Sequence, residues 1–269
     1  MIDTHSHIYA EEFDTDFDAA ILRAKDVGVR HIVLPNVDVA SIERLHRAER
    51  KGVARNAPTL HAAMGLHPTS VDADYQTSLS IIKQHLDTRP YVAIGEIGID
   101  LYWDKTFQNE QVAAFETQVE WALEYDYPII IHSRTAHNEI IRSLKKIGRG
   151  VLNTPSHTPL RGIFHSFSGS IEQAREILRL GNFKLGINGV LTFKNANLPQ
   201  TLQQISLNDL VLETDAPYLT PVPFRGQRNE TAYVQYVAQK LAEIYQTSIE
   251  EVDKITTENA KSIFTGICE

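Results

Sequence analysis

Short apolar runs alternate with longer stretches of helical period along the chain. Runs rich in Val, Ile, Leu and Ala occupy residues 1–3, 31–34, 60–65, 91–94, 128–131, 162–164, 183–187 and 210–212. Apolar residues at consecutive rather than alternate positions predict strands covered on both faces, as in a parallel sheet. Between the runs, apolar residues recur every three to four positions. Phe17, Ala20, Ile21 and Ala24 form one stripe, with Gly28 as its stop, and Val112, Phe115, Val119 and Ala122 form another within residues 107–125. Helices also fit residues 41–50, 77–86, 138–147, 172–180, 198–205 and 231–245.

Eight strands alternating with helices over about 250 residues predict an α/β protein, a (β/α)8 TIM barrel. A doubly wound open sheet has the same alternation, and the strand ends separate the two. The residues expected there are His5 and His7, Asn36, His67, Glu96, His132, His165, Asn188 and Asp215. All are polar and most can bind a metal. A barrel gathers its C-terminal strand ends at one face, whereas an open sheet strings them along a line, so the barrel and a metal site at that face are favoured. Residues 1–269 are expected to form one domain. Residues 248–264 predict one or two extra helices, begun by a Ser248–Glu251 capping box and packed across the barrel's outer wall.

Composition narrows the setting. The 42% hydrophobic and 22% charged content is that of an ordinary globular chain. No run approaches the roughly 20 apolar residues of a membrane span, and no basic segment followed by an apolar core opens the chain. A cytoplasmic protein with no membrane partner is expected. Cys268 is the only cysteine in the sequence, which excludes an intramolecular disulfide and thiolate-rich zinc sites. Any metal must be held by nitrogen and oxygen. The formal net charge of −8 argues against a broad basic face for nucleic acid. A phosphate substrate remains compatible with it, because divalent ions in a pocket reverse the local field.

Residues i and i+2 of a strand share a face, so His5 and His7 can reach one ion. Alone, the pair is equally consistent with polar residues at a strand end. With Glu96, His132, His165 and Asp215 it makes a set of four imidazoles and two carboxylates. The segments carrying them, DTHSH, GEIGID, IHSR, FHSFSG and ETDAPYL, resemble in order the signatures of the TatD family of metal-dependent deoxyribonucleases, within the amidohydrolase-like barrel superfamily. GLHP, PVPFRGQRNE and TTENAKSIF extend the resemblance from residue 1 to about residue 265. Two histidines compete for one place in it. His157 lies between Pro155 and Pro159, whereas His165 ends an apolar run and carries the following Ser-Phe-Ser-Gly. His165 is therefore the expected ligand, and the loop before it reads as an insertion.

The resemblance implies two divalent ions per subunit, Mg, Mn or Zn. His5 and His7 would hold one and His132 and His165 the other, with Glu96 bridging and Asp215 completing the first site. The implied activity is hydrolysis of phosphodiester bonds in DNA or RNA, as a 3′-to-5′ exonuclease on single strands. A metal-activated hydroxide would attack, with Glu96 and Asp215 as the catalytic carboxylates and Asp215 receiving the proton. His67, Arg134 and Arg225 are candidate substrate contacts, each with a structural alternative. These are a loop anchor for His67, an ion pair with Asp100 for Arg134, and bracing through Glu230 for Arg225 and Arg228. Tyr102 and Trp103 either stack on a base or cover the barrel mouth. His31 and His61 read as structural, and His46 and His85 as exposed helix residues. Ala216, Phe224 and Gln227 depart from the family pattern, where serine, histidine and a basic residue are frequent. Two other functions fit the same residues: an amidohydrolase, lactonase or phosphotriesterase, and a metal-binding scaffold without catalysis. Oligomeric state is left open, a monomer included.

Overall fold

Eight parallel strands close into a barrel in the computed structural model, which describes residues 1–51, 57–151 and 159–267. His157, the loop around it and Cys268 lie outside the described residues. The strands are β1 (Ile2–Asp3), β2 (His31–Pro35), β3 (Thr59–Ala63), β4 (Ile94–Asp100), β5 (Ile129–Arg134), β6 (Arg161–Phe164), β7 (Asn182–Ile187) and β8 (Leu210–Leu212). The helices are α1 (Phe17–Asp26), α2 (Ile42–Lys51), α3 (Tyr75–Thr88), α4 (Gln108–Tyr125), α5 (His137–Val151), α6 (Ile171–Leu178), α7 (Leu198–Leu202), α8 (Val234–Tyr245) and α9 (Ile249–Ile263). Strands β1 to β3 and β4 to β8 form two ladders. Met64 bridges Ile94 at one seam, and Ser6 bridges Ala216 at the other. The second seam is tied by Thr4 N–H to Leu212 O at 3.0 Å and by Asp215 N–H to His5 O at 2.9 Å. The sheet therefore has no free edge to cap, and all C-terminal strand ends meet at one mouth.

Strand alternation divides the apolar residues. Ile32, Leu34, Leu60 and Ala62 face outward and are buried with helix residues such as Leu45, Phe115 and Ile140. Ile2, Val33, Ala63, Ala93, Ile130, Ile163 and Val211 belong to a separate cluster that includes Ala260, Ile263, Phe264 and Ile267. This corrects the expectation for the C-terminal segment. It is one helix, and it closes the N-terminal end of the barrel rather than lining the outer wall. Its contacts fix the placement: Asn259 donates to Leu207 O and Leu210 O at the start of β8, and Asp253 pairs with the Met1 ammonium at the start of β1. The physical reason is volume. The inward residues at that end are mostly small or β-branched and leave a hollow that Phe264 fills without exposure. Ser248 supplies its half of the expected capping box, accepting from Glu251 N–H at 3.1 Å.

A second difference concerns β4. The sequence predicts it at 91–94, yet it runs from Ile94 to Asp100 and carries Glu96 within it. The glycines of GEIGID serve close approach between strands. A Cβ on Gly98 would lie 1.9 Å from the carbonyl oxygen of His132 on β5.

Candidate metal centre

The six expected donors meet at the barrel mouth. His5 and His7 follow β1 with their Nε2 atoms 3.1 Å apart. Glu96 Oε2 lies 3.0 Å from His5 Nε2 and 3.6 Å from His7 Nε2. Asp215 Oδ1 stands 3.7 Å from Nε2 of His5, His7 and His165 alike. His132 Nδ1 lies 2.9 Å from Glu96 Oε1, and His165 Nε2 lies 3.9 Å from the same oxygen. Among the described residues three donor groups are tight enough to hold an ion: His5, His7 and Asp215; His67, Glu96 and His132; and His5, His165 and Glu213. His132 and His165 thus fall in different groups, and His67 joins His132 beside Glu96.

Backbone geometry delivers these side chains. Thr135, Ser166 and Asp215, each just beyond a strand, adopt left-handed conformations with φ of 57°, 51° and 58°. Non-glycine residues held there carry local strain, which recurs where a chain must turn sharply to aim a functional group. The turn at Asp215 is pinned by buried Asp3, which accepts from Thr214 N–H at 3.0 Å and from its hydroxyl at 2.7 Å.

The hydrogen bonds around His7 suit a cation. The Tyr9 hydroxyl gives its hydrogen to Pro35 O at 2.6 Å, so it can only accept from His7 Nδ1 at 3.0 Å. Neutral His7 therefore turns the lone pair of Nε2 toward the oxygens of Glu96 and Asp215. Acceptor facing acceptor is unfavourable in a buried site unless a cation lies between them. Nitrogen and carboxylate ligands fit a divalent ion, and zinc or manganese suits so many imidazoles better than magnesium does.

The electrostatics are those of crowded, buried groups. Burial lowers His7 to about 4 and holds His5 well below its ordinary value, with the charge of His165 adding at His5. Burial also opposes ionisation of Glu96, but the surrounding imidazoles outweigh it and keep the carboxyl well below its usual range. Asp215 is pushed up to about 7 by burial, against the pull of His165. His165 is held up at about 10 because Glu213, Asp215 and Glu96 overcome its own burial.

Three residues support the donors in roles the sequence did not suggest. Glu213 is fully buried, and its Oε1 lies 3.1 Å from His165 Nδ1. It accepts from Ser166 N–H at 2.7 Å and from Asn188 Nδ2 at 3.1 Å, and Gly186 makes room for it, since a Cβ there would lie 2.2 Å from Oε2. Asp100 Oδ2 sits 3.0 Å from His132 Nε2, leaving Nδ1 to face Glu96. Tyr9 orients His7 as described. The signal was available: Glu213, Asp100 and Tyr9 each lie an even number of positions from a proposed ligand on the same segment. Asn36 and Asn188, both at strand ends, buttress loops through side-chain bonds.

The remaining candidates divide. A cleft of about 550 Å3 over the donors is lined by His67, Arg134, Ser166 and Tyr218, among others. His67 Nδ1 accepts from Thr69 N–H at 3.2 Å, so its neutral form presents Nε2–H to Glu96 Oε1, 3.4 Å away. It anchors its loop, and with the hydrogen on Nε2 it is a donor rather than an ion ligand in this tautomer. Arg134 does not pair with Asp100; its guanidinium lies over the rings of Tyr102 and Trp103. Arg225 lies over Phe193, 3.7 Å from its centroid, and is exposed outside the cleft lining. Arg228 braces its loop through Asp16, with bonds of 2.6 and 2.8 Å, and also pairs with Glu230 at 3.8 Å, which Arg23 grips from the other side. His31 and His61 bond to each other at 3.0 Å on β2 and β3. His46 and His85 are half-buried rather than exposed, and His46 lies 2.9 Å from the Tyr91 hydroxyl.

Comparison with known proteins extends the geometry. The sequence profile of the family described as TatD related DNase matches residues 2–265. The chain is similar to the uncharacterized metal-dependent hydrolase YabD of Bacillus subtilis, with 40% identity over 265 residues and 98% of each chain covered. It is 32% identical over 267 residues to the uncharacterized metal-dependent hydrolase YjjV of Escherichia coli K12, covering 98% of this chain and 97% of the other. The crystal structure of YjjV, a TatD homologue, superposes with a TM-score of 0.87 over 98% of both chains.

Proposed function

The chain belongs to the TatD-related DNase family of metal-dependent hydrolases, and within that family we propose that it hydrolyses phosphodiester bonds of DNA or RNA, trimming single strands from the 3′ end. The observation that carries this reading is the convergence of His5, His7, Glu96, His132, His165 and Asp215 beneath an open cleft. Two divalent ions, held by these residues in one continuous catalytic domain, would supply the Lewis acidity for attack at phosphorus. A single strand fits the cleft better than a duplex, since a volume of about 550 Å3 suits one or two nucleotides.

The residues have distinct tasks. Glu96 faces His5 and His7 through one oxygen and His132 through the other, and would offset the charge of the ions. Asp215, raised toward neutrality by burial, takes the proton of the attacking water. His67 and Arg134 line the cleft and contact the phosphate, His67 through its Nε2–H and Arg134 through its guanidinium. Arg225, at the rim, would meet only a longer strand.

Assays on 3′- and 5′-labelled single strands with magnesium, manganese and zinc test the proposal. Stepwise loss of the 3′ label that stops with chelator is expected. Lactone or amide hydrolysis without nucleotide release would replace the nuclease by the carbonyl-directed alternative, which the same donors support.

A further inference from the structure

Trp103 is 74% exposed and Tyr102 56% exposed, at the end of β4 beside the cleft. Large aromatic residues so open to water are uncommon where no partner covers them. Their arrangement is ordered. The two rings meet edge to face at 4.8 Å and 89°. The Arg134 guanidinium lies 4.1 Å from the Tyr102 centroid and 5.2 Å from that of Trp103. Among the described residues no carboxylate lies within ion-pair distance of Arg134, although the chain carries a net charge of −8. Asp100 feels its charge from beyond that distance but is engaged by His132, so a cation stacked on aromatic faces keeps its hydrogen-bonding edge for an external anion.

The shelf is tied to the donor cluster. Leu101 N–H donates to Arg134 O at 2.9 Å, and Tyr102 N–H donates to Asp100 Oδ1 at 3.0 Å. The other oxygen of Asp100 holds His132. A ligand on the shelf is therefore held in fixed register with the proposed metal ligands.

We propose that Tyr102, Trp103 and Arg134 form a stacking subsite for an unpaired nucleobase next to the scissile phosphate, with Arg134 contacting the adjoining backbone phosphate. This rests on the nuclease reading and specifies how the strand is gripped. Exposed rings and a guanidinium match a nucleotide, which joins a flat π-face to an anion. Stacking of this kind tolerates any base. In a duplex the base faces are already covered by neighbours, so the shelf selects single strands.

The test uses Trp103 as its own reporter. Trp121 is the only other tryptophan in the sequence, so Trp121→Phe leaves one indole, and its emission is followed while a phosphorothioate-linked oligonucleotide is added in the presence of manganese. Saturable quenching is expected, with at least tenfold weaker response to the matching duplex. A terminal 2-aminopurine in the strand provides the same readout from the base, without any substitution in the protein. In turnover, Trp103→Ala is expected to raise KM for an ordinary strand about tenfold, and to change it far less for a strand abasic at that position. Hydrolysis without any fluorescence response, or equal KM effects on the two strands, would overturn the subsite and leave the nuclease reading intact. Quenching with no hydrolysis under any metal would retain the subsite and remove the nuclease. If neither occurs, both fall.

Discussion

Glu213 Oε1 stands 3.1 Å from Nδ1 of His165, on the side of the ring turned away from Asp215 and Glu96. A carboxylate behind a metal-facing imidazole fixes the tautomer and ring orientation and raises the basicity of the other nitrogen. Glu213→Gln is expected to weaken binding of the ion nearest His165 about 10- to 100-fold. Metal occupancy under competition with a calibrated chelator checks this without reference to turnover. Unchanged occupancy would reduce Glu213 to a packing residue.

Asp215 faces three imidazoles and is the proposed proton acceptor. Asp215→Asn keeps the shape and removes the base, so kcat should fall by about 100- to 10,000-fold, the usual range for general-base catalysis. Because Asp215 is also a candidate ligand, metal content is measured on the same preparation. A drop in kcat that disappears when metal is saturated would assign the residue to metal binding alone.

Removing the metals themselves should abolish hydrolysis. Activity should return on adding manganese or zinc, with smaller recovery from magnesium, because imidazole nitrogen favours transition ions. Glu96→Ala should resist this rescue, since the two oxygens of Glu96 face His5 and His132, which lie in different donor groups. Equal turnover before and after chelation is the outcome that excludes metal catalysis.

Phe264 is fully buried at the closed end of the barrel, in one apolar cluster with Ile2, Val33, Ile130, Ile163 and Val211. Phe264→Ala should cost about 3–5 kcal/mol, the range for deleting a core aromatic side chain. Urea unfolding measures it. A cost below about 1 kcal/mol would mean that α9 does not hold the strand ends together.

The His31–His61 pair predicts acid sensitivity away from the mouth. Burial lowers His61 to about 4, with the charge of His31 adding, and burial lowers His31 in the same direction. In the unfolded chain both titrate near 6.5, so below that pH the unfolded state binds more protons. Stability contributed by the neutral pair is complete above about pH 6.5 and is lost as the pH falls toward about 4. Allowing for partial solvent exposure, about 1–2 kcal/mol should be lost over that window. His61→Gln should flatten this part of the stability profile, measured by urea midpoints at several pH values. Parallel profiles for the two proteins would refute the assignment.

Much of the site was legible because its chemistry is carried by residue types with few other uses. His5, His7, His132 and His165 each adjoin or end a short apolar run, and an eight-strand alternation leaves one place for such residues to meet. Glu213 and Asp100 were harder to read, since a carboxylate that supports a histidine looks like any other acidic residue until the ring nitrogen it faces is known. Arg134 invited the wrong partner: Asp100 lies on the neighbouring strand, but it is already engaged by His132 and the Tyr102 N–H, so the guanidinium turned to the rings.

The order of apolar runs, together with the metal-competent residues that end them, determined the barrel and which face would carry the metal ligands, because periodicity places the strands and only a barrel brings all their ends together. The tertiary structure decided how the donors are grouped, where α9 packs and which nitrogen of each histidine faces the cleft. Those depend on distances between segments far apart in sequence, and close packing settles them only when the barrel shuts.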